Sequence, residues 1–313
     1  MNLVIVAWRK LSYRTLLLTK ALPHAKLWFF RDSVPYLRAM FYMFMKCLKH
    51  KPNTLLIQLP QGLLLFEAVL LKKLLRIYVV ADVHTGFIFC SGLKEYFLNR
   101  FFVWFLGSVD LVLVHNEQIK TLLSPTVRRK TIVVYDPWMF ISTPDTDATV
   151  FGDEYLVFPA SFSPDEPLRE VCECVNKLGK VKLFITGDYH RQRELLRFRS
   201  KYVRFIGFLS RQDYENLLAN SSGIITGSKR EFTLCMSSWE AVAYKKPLFL
   251  TDTVALKNVF KDYAVFFDWR DNESLVSALK SDKKDLSMSR KNLYKLTLSS
   301  LQQLVNRPEV QKP

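Results

Sequence analysis

Short apolar runs, each closing in polar or glycine-bearing sequence and each followed by a helix-like stretch, recur along this chain and narrow its possible folds more than any other feature. In the first half they are "MNLVIVAW", "NTLLIQLP", "RIYVVADVHTG", "SVDLVLVHN" and "KTIVVYDP". A continuous apolar run has no face for water, so it belongs in a sheet covered on both sides. Parallel strands joined through helices provide that cover. The stretch "STPDTDATVFGDE" at 142–154 interrupts the pattern with Pro, Asp and Thr. The alternation then restarts with "YLVFPAS", "VKLFITGD", "VRFIGFL", "SGIITGS", "KPLFLTD" and "YAVFFDW". The pattern predicts an α/β chain of two doubly wound, Rossmann-like domains. The boundaries it sets are 1–141, a linker at 142–154, 155–285, and a C-terminal helical segment at 286–313 able to cross back to the first domain. Two such halves imply a ligand cleft between them, with the chemistry in loops beyond the carboxyl ends of strands.

Charge is unevenly spread. Through Phe140 there are 19 Lys and Arg against 7 Asp and Glu, whereas the remainder holds 26 against 22. A basic N-terminal half calls for an anionic partner. Nucleic acid is not expected, because zinc-finger spacing, RNP-like aromatics and Arg-rich tails are missing. Instead, "YLRAMFYMFMKCLKHK" and "GLKEYFLNRFFVWFLG" mix cations with aromatics and long aliphatics. Such segments suit peripheral contact with an anionic membrane, or core helices bordered by Lys and Arg stems. No cleavable leader and no apolar run of roughly 20 residues are seen. The expected location is therefore cytoplasmic, at most peripheral on the inner face of the cell membrane. Five cysteines without a C-x-x-C pair read as reduced, buried thiols rather than zinc ligands or a disulfide framework.

Polar residues gather at the strand exits. "DVHTG" sets Asp82, His84 and Thr85 after a buried strand, where a carboxylate and an imidazole can orient one another for proton transfer or bind hydroxyls. The same residues also fit a helix cap and a satisfied buried histidine. "TGSKREFTLCMSSWE" brings Lys229 and Arg230 to the start of a helix near Met236, a combination that suits a diphosphate. Glu240, about a turn into that helix, has the chemistry to accept two ribose hydroxyls. The alternative is a solvated turn with a first-turn acid. "DTD" at 145–147 lies in the linker and reads as solvated turn residues, so no metal is implied. No P-loop, G-x-G-x-x-G or G-x-S-x-G pattern occupies a strand exit.

Taken in order, these segments resemble the two-domain GT-B glycosyltransferases, and in particular their large retaining family 4. "SSWEAVAYKKPLFLTD" resembles that family's "LEAMAxGxPVVxS" signature, and "LFITGD" its "xxGxG" strand and loop. "DVHTGFIF" and "VDLVLVHNEQIKTLL" are similar to the acceptor domain of a bacterial and archaeal subgroup. Ser161–Glu166 is similar to the "SWTPDED" loop of chitobiosyldiphosphodolichol mannosyltransferases. The resemblance implies transfer of a sugar from a nucleotide-diphosphate donor to a lipid-linked or glycan acceptor, retaining and metal-independent, with no separate cofactor. It also implies donor contacts at Ser161, Ser163, Gly187, Asp188, Lys229, Arg230, Glu231, Thr233, Leu234 and Glu240. Acceptor contacts would fall on Arg9, Arg14, Thr85 and Asn116, and catalysis on Asp82 and His84, with Asp82 the better base if the reaction inverts. The sequence departs from the family where nine positions separate Glu231 from Glu240 in place of eight, and where Lys245 replaces the signature glycine. A nucleotide-sugar epimerase on the same scaffold, and a non-catalytic membrane- or glycan-binding protein, are the other readings of this pattern.

Overall fold

Each apolar run becomes a strand because helices take both of its faces away from water. The computed structural model describes residues 3–31, 33–89, 101–143, 154–281 and 286–311. Cys90, the turn at 145–147, most of the 142–154 linker and part of the second aromatic–basic segment lie outside the described residues. The chain divides into two compact units, one made of residues up to Phe140 and from Leu296 onward, the other of Ile141–Lys295.

The sheet of unit 1 contains β1 (Leu3–Arg9), β2 (Lys26–Arg31), β3 (Thr54–Gln58), β4 (Tyr78–Asp82), β5 (Leu111–Val114) and β6 (Thr131–Val133), in the order β2-β1-β3-β4-β5-β6. All neighbouring pairs are parallel. Five of these strands were legible as apolar runs. The edge strand β2 was not. It has one neighbour and one wet face, so only Trp28 and Phe30 of "KLWFFR" are buried, and alternation replaces the continuous apolar signal.

The helices of unit 1 begin with α1 (Tyr13–Ala21), α2 (Tyr36–His50), α3 (Gly62–Leu75) and the single turn α4 (Thr85–Ile88). A 3₁₀ turn (Trp104–Ser108), α5 (Glu117–Leu122) and α6 (Pro125–Arg129) follow. Right-handed crossovers put α2 and α3 on one face of the sheet, because both connections advance in the same direction across it. α1 runs the other way and covers the opposite face. There Leu18 and Leu22 pack with Ile5, Leu56, Val80 and Leu113, joined by Leu301 and Leu304 from the C-terminal segment.

Unit 2 repeats the plan with β7 (Tyr155–Pro159), β8 (Lys182–Thr186), β9 (Val203–Gly207), β10 (Gly223–Thr226), β11 (Leu248–Thr251) and β12 (Ala264–Phe267). Their order is β12-β11-β10-β7-β8-β9, again all parallel. The covering helices are α7 (Leu168–Leu178), α8 (Arg211–Ala219), α9 (Met236–Ala243), α10 (Val254–Phe260) and α11 (Asn272–Lys280). Phe158, Ile185, Val203, Ile225 and Phe267 form the core with Val171, Val175 and Leu275 of the helices. The long helix α12 (Ser287–Val305) and the turn α13 (Pro308–Gln311) end the described chain. In each sheet the strand order reverses once, between β1 and β3 and between β7 and β10, and loops leaving such a reversal open a crevice for ligands.

Candidate functional site

At the reversal in unit 2, the loops after β7 and β10 are tied together through Asp165. Its backbone carbonyl accepts from Lys229 N at 2.7 Å, and its Oδ2 accepts from Ser228 Oγ at 2.6 Å. Ser163 Oγ donates to Oδ1, and Arg230 Nη2 stands 3.9 Å from that oxygen. Burial works against the Asp165 charge, but the two hydroxyls and Arg230 outweigh it and hold the carboxyl below its usual value.

Ser161 and Ser163, expected among the donor contacts, are bonded within their own loop. Glu166 Oε1 accepts from Ser161 N and Oγ at 2.9 and 2.8 Å, and its Oε2 accepts from Ser163 N at 3.2 Å. The neighbouring exit of β8 needs Gly187, which sits at φ +100° with the Ala160 carbonyl oxygen 2.1 Å from where a Cβ would be. Any side chain there would push the β7 and β8 exits apart. Asp188 then caps the following turn, accepting from His190 N at 3.2 Å.

The two cations of the β10 exit are not equivalent. Lys229 Nζ donates to Glu170 Oε1 at 2.6 Å and lies 4.8 Å from the centre of the Trp269 ring. Among the described residues the Arg230 side chain has the one long contact to Asp165, and its guanidinium is a third exposed. Glu231 is engaged away from the donor loop. Its Oε2 accepts from Val254 N at 2.8 Å and its carbonyl from Ala255 N at 3.1 Å, so it caps α10. That capping role accounts for an acid sitting out of the expected spacing. Leu234 is buried, and the Thr233 hydroxyl is buried without a hydrogen-bond partner among the described residues. Glu240 projects from α9 and accepts from Tyr214 OH at 2.6 Å. Burial raises the Glu240 carboxyl to about 7, against the opposing pull of the Tyr214 hydrogen bond and of Arg211.

In unit 1 the strand exits hold a buried ionic cluster. Arg14 Nε and Nη2 donate to Asp82 at 3.1 and 3.0 Å, while Nη1 donates to Asp136 Oδ1 at 2.8 Å. Asp82 is wholly buried, and Arg14 and Asp136 nearly so. His84 Nε2 lies 3.1 Å from Asp82 Oδ2, and Thr85 Oγ1 lies 3.1 Å from His115 Nε2. Burial alone would raise the Asp82 pKa, but Arg14 and His84 overcome it and hold the carboxyl well below the carboxylate range. Burial also drives His115 down to about 4, so this imidazole is neutral at physiological pH. The expectation that Asp82 is the better base of an inverting reaction therefore gives way. A carboxylate clamped by a guanidinium, with no exposed surface, is a weak proton acceptor. His84, a fifth exposed, and the half-buried Thr85 are the groups in this cluster that a ligand can reach.

Arg14, expected to contact an acceptor, is the centre of this clamp. Asn116 caps α5 by accepting from Ile119 N at 2.8 Å. Arg9 adopts φ +64° and stacks its guanidinium 5.0 Å from the centre of the Tyr36 ring. Gln58, absent from the expected set, holds the β1 exit: its Oε1 accepts from Ser12 N and Thr15 Oγ1, and its Nε2 donates to Lys10 O.

By sequence the chain matches no known family and no curated protein. Its likeness to solved structures is one of fold. It superposes on HepE from Anabaena in complex with UDP-glucose with a TM-score of 0.74, at 12% identity over 98% of each chain. The sucrose-phosphate synthase of Thermosynechococcus elongatus gives 0.72 at 12% identity, over 97% of this chain and 94% of that one. The fold is GT-B. The UDP-GlcNAc 2-epimerase of Methanocaldococcus jannaschii superposes less well, with a TM-score of 0.58 at 13% identity over 95% of this chain and all of that one.

Within this GT-B chain, sequence reasoning missed Asp136, His115, Tyr214 and the Asp165–Glu166 brace. Asp136 and His115 do stand at strand exits, "YDPW" and "HNEQ", which is the signal that could have found them. Tyr214 sits mid-helix with no such mark. Among the described residues, no group of three or more His, Cys, Asp or Glu side chains is placed to hold a metal ion.

Proposed function

We propose that this chain transfers a sugar from a nucleotide-diphosphate donor to a hydroxyl of a lipid-linked or polysaccharide acceptor, as a family 4-like, retaining and metal-independent hexosyltransferase of the cytoplasmic membrane face. The observation that carries the reading is the exit of β10 in unit 2, where a loosely engaged Arg230 precedes α9 and α9 carries the buried carboxyl of Glu240 one turn in. Negative charge builds on the diphosphate as its bond to the anomeric carbon breaks. The Arg230 guanidinium and the backbone N–H groups at the start of α9 meet that charge as it forms. Glu240 holds the ribose hydroxyls. In unit 1, His84 and Thr85 bind the acceptor hydroxyl. In the retaining course its proton leaves with a diphosphate oxygen, and in an inverting course His84 takes it, oriented by Asp82. HepE supports the donor class, since its structure is a complex with UDP-glucose.

The test is incubation with a panel of nucleotide sugars, following nucleotide release with and without a lipid extract. Release that requires the extract is the expected result. Turnover of donor alone to an isomeric nucleotide sugar would instead favour an epimerase, and inertness toward the whole panel would leave a non-catalytic binding protein.

Glu240 adds a pH signature. Its carboxyl, raised to about 7 chiefly by burial, must be ionised to accept two hydroxyls. The donor KM is therefore expected to be lowest on the alkaline side and to rise as pH falls through that value. Steady-state kinetics between about pH 6 and 8 check this. Glu240→Gln is expected to flatten the profile, and a flat wild-type profile would remove Glu240 from donor binding.

A further inference from the structure

We propose that the outer face of α2, α3 and the Trp104–Ser108 turn docks on an anionic lipid bilayer. On α2, Ala39, Met43 and Cys47 are buried against the unit, while Leu37, Phe41 and Met45 form the opposite stripe and stand exposed. α3 repeats the arrangement with Phe66, Leu70 and Leu74 outward. The two stripes share helical spacing and lie on neighbouring helices of one layer. The Phe66 and Phe105 rings, 5.3 Å apart edge to face, join α3 to the 3₁₀ turn, where Trp104 is 89% exposed. Large apolar side chains exposed along two neighbouring helices and an adjoining turn of one unit mark an interaction site.

Charge selects the occupant. α2 carries Arg38, Lys46 and Lys49, and α3 carries Lys72 and Lys73. The single acid of both helices, Glu67, is buried, and burial raises its carboxyl to about 8, so it contributes no surface charge near neutrality. Asp110, a quarter exposed beside the 3₁₀ turn, neutralises Lys72 at 2.6 Å, and Arg38, Lys46, Lys49 and Lys73 keep the border of this apolar face positive, a complement to acidic headgroups over acyl chains. A second copy of the chain fits poorly, because an isologous contact would set these cations against their own counterparts. Among the described residues no helix is long and apolar enough to cross a membrane, so contact here is lateral. α2 starts beside Arg9, so the first turn of this face lies at the strand-exit end of unit 1, the end that carries His84, and the face extends from there along both helices.

The experiment is sedimentation of the purified full chain with vesicles of phosphatidylcholine alone and with about a third phosphatidylglycerol, followed also by tryptophan fluorescence. No sugar chemistry enters, so the outcome is independent of the transferase reading. Binding to the anionic vesicles with a blue shift lost in Trp104→Phe is expected. The combined variant Phe41→Ser, Leu70→Ser, Trp104→Ser is expected to weaken partition by about ten-fold per side chain removed. Lys49→Glu with Lys73→Glu is expected to weaken it by about five-fold or more per charge. Unaltered thermal unfolding of these surface variants separates lost docking from lost folding. Partition indifferent to phosphatidylglycerol, or unchanged in the triple variant, overturns the proposal. So does a dimer in size-exclusion chromatography that the triple variant disperses without any vesicle binding, which assigns the face to self-association.

Discussion

Arg14→Met is expected to destabilise unit 1 by about 3–5 kcal/mol, read as a fall in the denaturant midpoint, because it strands two buried carboxylates. Asp82 and Asp136 both lie within hydrogen-bond reach of the one guanidinium, and both are buried. Removing only one carboxylate, as in Asp136→Asn, leaves Arg14 paired with Asp82 and should cost much less. Replacing Arg14, Asp82 and Asp136 together with apolar residues of similar volume should recover most of the loss, since a buried ion cluster and a packed apolar one differ little in net stability. Arg14→Lys should not rescue, because one ammonium cannot span the forked contact that now reaches both acids. If Arg14→Met melted like the wild type, the cluster would have no structural weight.

The pH dependence follows from the same cluster. Asp82 is held below the usual carboxylate range of about 4, so near that pH the unfolded chain binds more protons than the folded one. The cluster's contribution is therefore complete above that range and fades as acid drives the pH below it. Arg14 stays charged throughout, its pKa pushed upward by Asp82 and Asp136 against the effect of burial.

What the sequence made legible follows from which forces act locally. Strands buried on both faces advertise themselves as unbroken apolar runs, so "VKLFITGD" and "SGIITGS" were readable as β8 and β10. The edge strand β2 answers to one neighbour and one wet face, and its residues carry no such mark. Charged residues at strand exits were equally visible as types, but their partners were not. Glu231 and Glu240 look alike in sequence, yet one caps α10 and the other is buried against Tyr214. The difference lies in which elements the fold brings alongside, and neither α10 nor α8 is near these residues in a pattern a linear reading can detect. Asp82 shows the same limit: "DVHTG" announces a carboxylate and an imidazole, whereas the guanidinium that holds Asp82 ionised arrives from a helix 68 positions earlier.

Arg230→Ala is expected to lower kcat for sugar transfer by about 10²–10³, the magnitude associated with losing one fixed donor to charge that develops in the transition state. Among the described residues its guanidinium meets one ionic partner, Asp165 at 3.9 Å, and keeps donors to spare for a leaving diphosphate. Lys229 is the contrasting case. Its ammonium is already committed to Glu170 at 2.6 Å and seated over Trp269, so withdrawing it toward a ligand would expose a half-satisfied carboxylate. Lys229→Ala should therefore show mainly in the thermal stability of unit 2, with the smaller effect on kcat. Arg230→Lys should restore part of the rate by charge alone, but not the two-point hold that a planar guanidinium offers a phosphate. Single-turnover measurements at saturating donor separate this loss from weaker binding, since an interaction made only as the bond breaks lowers kcat and kcat/KM together. Equal losses from Lys229→Ala and Arg230→Ala would break the distinction and return the diphosphate to both cations.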